Sequence, residues 1–321
     1  MKFRTEIEIA PLARRIGYRD RLLSLGSCFA ERIAGRMAAA KFRIITNPTG
    51  VLFNPFSVAG TLEQLLDPAP VRREELHHDG ALWFHYDFHG SFSGPEADRV
   101  LAGMQAARRA GAEALATADW LLLTFGTARV YEHEGRVVAN CHRQPAADFV
   151  RRQLTAAEVV ERCAALFEGP LAAKQIVLTV SPVRHLGDGL SGNALSKAVL
   201  RVAAAELEAR CPNVHYFPSF EILTDDLRDY RFYGDDLVHP SEQAVDYIWE
   251  KFAAAALDDE AQRLLPEVEA IRAAALHRPR YPHGAAHADF CRRMLARIEA
   301  LPGIDFSDEA AVFRSSIEIN S

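Results

Sequence analysis

Five short apolar stretches, residues 22–25, 42–45, 120–125, 176–180 and 214–217, run without the polar–apolar alternation of a half-exposed strand. A strand lacking that alternation has both faces covered, as in a parallel sheet lying between helices. Helical patterns fill most of the intervals. Phe29, Ile33 and Met37 recur every four residues after the first stretch, and residues 194–209 are rich in Ala, Leu and Glu ahead of the last. Alternating strand and helix units predict a doubly wound α/β fold, a mostly parallel sheet flanked by helices.

Two segments break the rhythm. Residues 46–57 mix turn formers with apolar side chains and are expected to form an ordered loop near the sheet edge. Residues 77–95 hold His77, His78, His85 and His89 among aromatics and glycines, and are expected to form an inserted hairpin or lid. From Asp258 the pattern is helical, breaks at 278–284, resumes over 288–301 and ends in a polar tail. The chain therefore divides into a main unit, 1–257, and a helical C-terminal extension, 258–321. Tyr281, His283 and Phe290 mark the extension as a candidate cover for a site.

Composition narrows the function classes. A net charge of −6 gives no basic surface for nucleic acid or anionic membrane, so neither partner is expected. The N-terminal residues lack the apolar core of a secretory signal, and no apolar run reaches the length of a membrane span. Cys28, Cys141, Cys163, Cys211 and Cys291 are odd in number and scattered, which predicts reduced thiols and a cytoplasmic location. The four clustered histidines sit in a glycine-rich loop that fixes ligands poorly, so no metal is expected. Without a phosphate loop or dinucleotide fingerprint, no cofactor is expected either. The oligomeric state is left open.

The chemistry-bearing residues lie at two junctions. Gly26-Ser27-Cys28-Phe29-Ala30 stands where the first apolar stretch turns into the first helical pattern. A nucleophile there would face helix N-terminal amides, which favour negative charge and offer an oxyanion site. Far downstream, Asp236-Leu237-Val238-His239-Pro240 has the spacing of a base and its orienting carboxylate. Each motif alone has a plain structural reading: a tight turn with an N-cap serine and a small buried cysteine, and a loop capping the helix that begins near Ser241. Together they match a hydrolase layout, nucleophile after the first strand and Asp-His pair after the last.

Several separated motifs carry a more specific resemblance. They are Leu25-Gly26-Ser27-Cys28-Phe29-Ala30, the segment 47–55, Thr124-Phe125-Gly126-Thr127-Ala128, Val138-Ala139-Asn140-Cys141-His142, Ser181-Pro182-Val183-Arg184-His185-Leu186, the segment 229–233, and Asp236 to Ser241. Over residues 20–255 the chain resembles the GSCFA-domain family, itself similar to the SGNH (GDSL-like) hydrolases, which have a flavodoxin-like three-layer architecture. The resemblance implies a nucleophile two positions after the first-strand glycine. That position is Cys28, with Ser27 the alternative if the turn is shifted by one residue. It implies His239 as base and Asp236 as its orienting carboxylate, with Asp236→Asn less damaging than His239→Ala.

The SGNH pattern also has an oxyanion glycine after the second strand, matched by Gly50, and an asparagine after the third, which is absent here. The third stretch continues Gly126-Thr127-Ala128, leaving Thr127, Asn54 or Asn140 as substitute donors. His142 and His185 are site-lining candidates, each also readable as a structural histidine. The function so implied is acyl-ester hydrolysis or O-acyl transfer through a covalent acyl-enzyme, with acylated carbohydrate as a substrate class suggested by fold analogy. The missing asparagine keeps a second reading open, a binding or scaffold module of the same fold with weak or no catalysis.

Overall fold

The computed structural model describes residues 4–280 and 284–318. In chain order the elements are β1 (Arg21–Gly26), α1 (Cys28–Ala39), β2 (Arg43–Thr46), α2 (Pro55–Leu66), β3 (His77–His78), β4 (Trp83–Phe84), α3 (Ala97–Thr117) and β5 (Trp120–Phe125). Next come β6 (Arg129–His133), β7 (Arg136–Val138), β8 (Val150–Gln153), α4 (Ala156–Phe167), β9 (Gln175–Val180), α5 (Gly189–Arg210) and β10 (Val214–Phe217). A single turn, α6 (Ser219–Glu221), leads through a π-helical turn at Ile222–Leu227 towards α7 (Glu242–Ala256). Three further helices follow: α8 (Asp259–Leu276), α9 (Ala285–Glu299) and α10 (Ser307–Glu318).

The five expected strands are all present, within a residue of their expected ends, in one parallel sheet of order β10-β9-β5-β1-β2. Alternate residues serve opposite faces. Leu23 and Leu25 of β1, Leu121 and Leu123 of β5, and Ile176 and Leu178 of β9 pack under α2, α4 and α5. Leu22, Trp120, Leu122 and Val177 pack on the other face, against Phe29, Ile33 and Met37 of α1 and Val245, Ile248 and Phe252 of α7. Two apolar faces explain why the strands show no alternation in sequence. The three-layer α/β expectation is met.

From β1 the chain first winds outward to β2, then returns across β1 to β5, β9 and β10. The reversal opens a crevice between the carboxyl ends of β1 and β5, where ligands of doubly wound sheets bind. Gly26 ends β1 in register with Thr124 of β5.

The expected hairpin at 77–95 is β3–β4, paired antiparallel. Its histidines are taken up locally: His77 packs on Phe84 and Tyr86, and His78 on Trp83. A second insertion, the antiparallel ribbon β7-β6-β8, was not anticipated, because its strands are short and mostly polar. The polar tail expected after 301 instead contains α10, whose Ala310 is buried and whose Phe313 is buried in one cluster with Val268, Ile271, Cys291 and Met294 of α8 and α9. Its apolar residues are too sparse to read as a helix without that partner surface. Tyr281 and His283 lie outside the described residues, while Phe290 packs within this same helical cluster. Among the described residues no helix is long and apolar enough to cross a membrane.

Candidate active site

The turn after β1 is built around Gly26. Its φ of +146° belongs to glycine, and a methyl group there would run into the Thr124 carbonyl. Asn47 clamps the turn from the end of β2. Its Oδ1 accepts from the Gly26 amide at 2.9 Å, its Nδ2 donates to Glu31 at 3.3 Å, and its carbonyl accepts from the Gly50 amide at 2.8 Å. Asn47 is buried and holds a left-handed φ of +44°, a conformation asparagine tolerates better than most residues.

Ser27 is the N-cap of α1, yet its side chain makes no capping bond. Its Oγ is buried without a hydrogen-bond partner, and the residue is 1% exposed. Cys28, the first residue of α1, is half-buried and therefore the more accessible of the two candidate nucleophiles. The helix terminus does not leave it with a lowered pKa, contrary to expectation. Burial pushes the thiol up and Glu31 adds to this; the Phe29 and Cys28 amides and the nearby Lys197 pull it down, and burial prevails.

Asp236 and His239 form the expected pair. Oδ2 of Asp236 lies 2.7 Å from His239 Nδ1, and its Oδ1 accepts from the amides of Val238 (2.9 Å) and His239 (3.0 Å). The bond to His239, then the two amides, hold the Asp236 carboxyl well below the usual range. With Nδ1 turned to Asp236, Nε2 is the nitrogen left for proton transfer. The loop is tied to the segment after β9, where the Arg184 amide and guanidinium donate to the carbonyls of Val238 and Leu237, each at 3.2 Å. Three residues beyond His239, α7 begins, and Arg36 of α1 pairs with its Glu242 (2.9 Å) and Asp246 (2.6 Å). The helix that starts at Cys28 and the helix that follows His239 are thus joined by ion pairs and by a common core.

The expected oxyanion donors are mostly spoken for. The Gly50 amide closes its own turn on Asn47. The amides of Gly126 and Thr127 both donate to the Phe53 carbonyl, at 2.8 and 2.9 Å. The Thr127 hydroxyl meets Ser196 Oγ at 3.0 Å and accepts from the Arg129 amide. Asn54 caps α2, its Oδ1 on the Ser57 amide and its Nδ2 on the Ser57 hydroxyl. Each is a structural role that a single sequence leaves indistinguishable from a donor role.

His142 is held by local partners: its Nε2 lies 3.0 Å from the His85 carbonyl and its ring stacks on Phe84 at 4.5 Å. Asn140 holds the His142 amide on Oδ1 and lines a cleft of about 260 Å3. Phe53, Asn54, Thr127, Tyr131 and His185 form other parts of the same wall.

His185 reaches the centre of this arrangement. Its Nε2 is buried without a partner, and it lies 3.3 Å from where a Cβ on Gly126 would sit; Ser27 Cβ lies 3.4 Å from the same point. Burial, followed by the charges of Lys197 and His239, pushes its pKa down to about 4. Lys197 was not singled out from sequence. It is fully buried, and its Nζ donates to the carbonyls of Gly126 and Ser181, both at 2.6 Å, across the ends of β5 and β9. Burial lowers its pKa to about 7, with Cys28 opposing the shift. A signal was available: Asn193, Lys197, Leu200, Ala204 and Leu207 share one helical face, so a lysine stands in an otherwise inward-facing row.

Comparison with curated proteins gives no match. The model of the GSCFA family matches residues 21–252, a span running from β1 into α7 and containing every candidate site residue above. A second model, GSCFA domain protein, C-terminal domain, matches residues 268–319. With most of its length matched by the first of these, the chain belongs to the GSCFA family.

Proposed function

We propose that the protein is an acyl-transfer enzyme, an acyl-ester hydrolase or O-acyltransferase, in which Cys28 forms a thioester intermediate. The observation carrying this reading is the half-open thiol of Cys28 at the crevice between β1 and β5, on a helix joined to the one that follows the Asp236–His239 pair. The layout resembles that of SGNH hydrolases, with cysteine in the serine position.

In the proposed reaction, His239 Nε2 takes the thiol proton as Sγ bonds to the ester carbonyl carbon, and the carbonyl π electrons move onto oxygen. Collapse of the tetrahedral adduct breaks the bond to the leaving alkoxide, which receives the proton from His239. Water or an acceptor hydroxyl then attacks the thioester, giving its proton to His239, which returns it to the departing thiolate. Asp236 holds the imidazole in the required tautomer and stabilises the imidazolium. The amides of Cys28 and Phe29, at the start of α1, face the thiol and favour developing negative charge there.

The cleft's surface is mostly apolar, with Asn140, Arg129 and Tyr131 as polar points that support an ester carrying both an acyl chain and hydroxyl groups, such as an acylated carbohydrate. Five free cysteines support a reducing, cytoplasmic setting.

The test is adduct mapping: mix the protein with p-nitrophenyl acetate, quench in acid during the burst, and locate acetyl groups by peptide mass spectrometry. The expected result is acetylated Cys28 that does not form in His239→Ala. Folded protein with no acetyl group on Cys28 or Ser27 would refute it. The binding-module reading draws on the raised thiol pKa and the many engaged donors. It predicts thermal stabilisation by sugars or acylated sugars without turnover.

A further inference from the structure

A tetrahedral oxyanion beside Cys28 needs donors, and the side chain that supplies one in the SGNH pattern is missing after β5. Gly50, Gly126 and Thr127 have their amides engaged, and Thr127 and Asn54 have their side chains engaged. Among the described residues, the buried polar atoms near Cys28 and the cleft that lack a partner include Ser27 Oγ, next in sequence to Cys28, His185 Nε2 and, on the cleft wall, Arg129 Nε; of the latter two only His185 also lies against Gly126. Ser27 and His185 both lie beside Gly126, the glycine that follows β5. An unpartnered imidazole nitrogen in a buried position costs free energy unless a ligand completes it. His185 also forms part of the cleft wall.

On the proposed acyl-transfer reading, we propose that His185 replaces the missing asparagine, donating Nε2–H to the substrate's carbonyl oxygen as it becomes an oxyanion. The surroundings suit a neutral donor. Burial and the neighbouring Lys197 and His239 disfavour the imidazolium, so at neutral pH the ring carries a single N–H. A neutral imidazole polarises a carbonyl without competing with the catalytic base for a proton. Two contacts position the residue: the His185 amide donates to the Asn193 side-chain Oδ1 at 3.0 Å, and the ring meets the Phe53 ring edge-on at 6.0 Å. His185 contributes a hydrogen bond to oxygen only; the proton transfers remain with His239.

The test compares two reactions of the same thiol. Acylation by p-nitrophenyl acetate develops an oxyanion, whereas alkylation by iodoacetamide displaces iodide and develops none at the donor site. For His185→Phe the expected result is an acylation rate down by roughly 10²- to 10³-fold, the usual cost of one oxyanion donor. Alkylation is expected to stay within about threefold, and His185→Gln, which restores an N–H, to recover at least about tenfold of the lost acylation. If phenylalanine is not accommodated, His185→Ala gives the same comparison. Acylation and alkylation falling together, neither falling, or the loss appearing in Asn140→Ala but not in the His185 variants would each overturn the assignment. Absence of acylation in the unmodified protein would instead sink the acyl-transfer reading itself, and this inference with it.

Discussion

Lys197 Nζ lies 2.6 Å from the carbonyl oxygen of Gly126, which places a buried amine just past the end of the strand that pairs with the one before Cys28. Its second acceptor is also a carbonyl, and the charge that favours its protonation is that of Cys28. A lysine so placed is expensive to keep protonated. It sits where it would stabilise a thiolate.

That placement predicts a pH dependence of stability. The folded-state pKa of about 7 lies below the ordinary lysine value of 10.5, so between those values the unfolded chain binds the extra proton. Stability should therefore rise with pH from about 7 to about 9, by up to ~1.4 kcal/mol per unit. Urea unfolding at pH 7, 8 and 9 should show this slope in the native protein and lose it in Lys197→Met. Parallel curves for the two proteins would dismiss the effect. At pH 7, Lys197→Met should also slow iodoacetamide alkylation of Cys28 by roughly two- to threefold, because the thiolate loses a nearby, partly protonated lysine.

The two adjacent nucleophile candidates should separate cleanly. Cys28→Ala is expected to abolish acetyl-adduct formation. Ser27→Ala removes a buried hydroxyl that bonds to nothing, so burst rates should stay within about fivefold and thermal stability should not fall. The reverse pattern, adducts persisting in Cys28→Ala and lost in Ser27→Ala, would move the nucleophile by one residue.

For the base, His239→Ala should reduce acylation by about 10³-fold and Asp236→Asn by roughly 10- to 10²-fold, since a thiol depends less on an oriented base than a hydroxyl does. The depressed Asp236 pKa keeps this carboxylate ionised throughout the working range. Its protonation should therefore add no loss of activity between pH 5 and 8, read from burst rates across that range.

The turn itself can be tested by a pair of glycine substitutions. Gly26→Ala forces an unfavourable φ and drives a methyl into the Thr124 carbonyl; a loss of about 2–4 kcal/mol is expected from urea denaturation. Gly103, within α3 and exposed, has nothing within 4 Å of an added methyl. Gly103→Ala should gain about 0.5–1 kcal/mol.

The parallel sheet was legible because its central strands β1, β5 and β9 are buried on both faces and so run apolar without alternation; β2, at the edge, is partly exposed. The β7-β6-β8 ribbon and α10 were not, since their burial depends on surfaces far off in sequence. At the site, the Asp236–His239 pair is local, three residues apart on one turn, and its spacing announces it. The oxyanion side is another matter. Gly50, Thr127 and Asn54 look like donors until their partners are seen, and those partners lie on neighbouring turns and helices. Lys197 escaped notice because a lysine in an alanine-rich helix usually faces water. The difference here is that α5 crosses the ends of β5 and β9.

The sheet also divides labour. α1 and α7, which adjoin Cys28 and His239, lie on one face, while α2, the β6–β7 ribbon and the cleft wall lie beyond the other. Substitutions in the cleft wall need not disturb the spacing between nucleophile and base, which is set on the opposite side. On the proposed acyl-transfer reading, a fold so partitioned can diversify in the molecules it accepts while its reacting groups stay in place, and a library confined to residues 55–57 and 129–139 samples the first without the second.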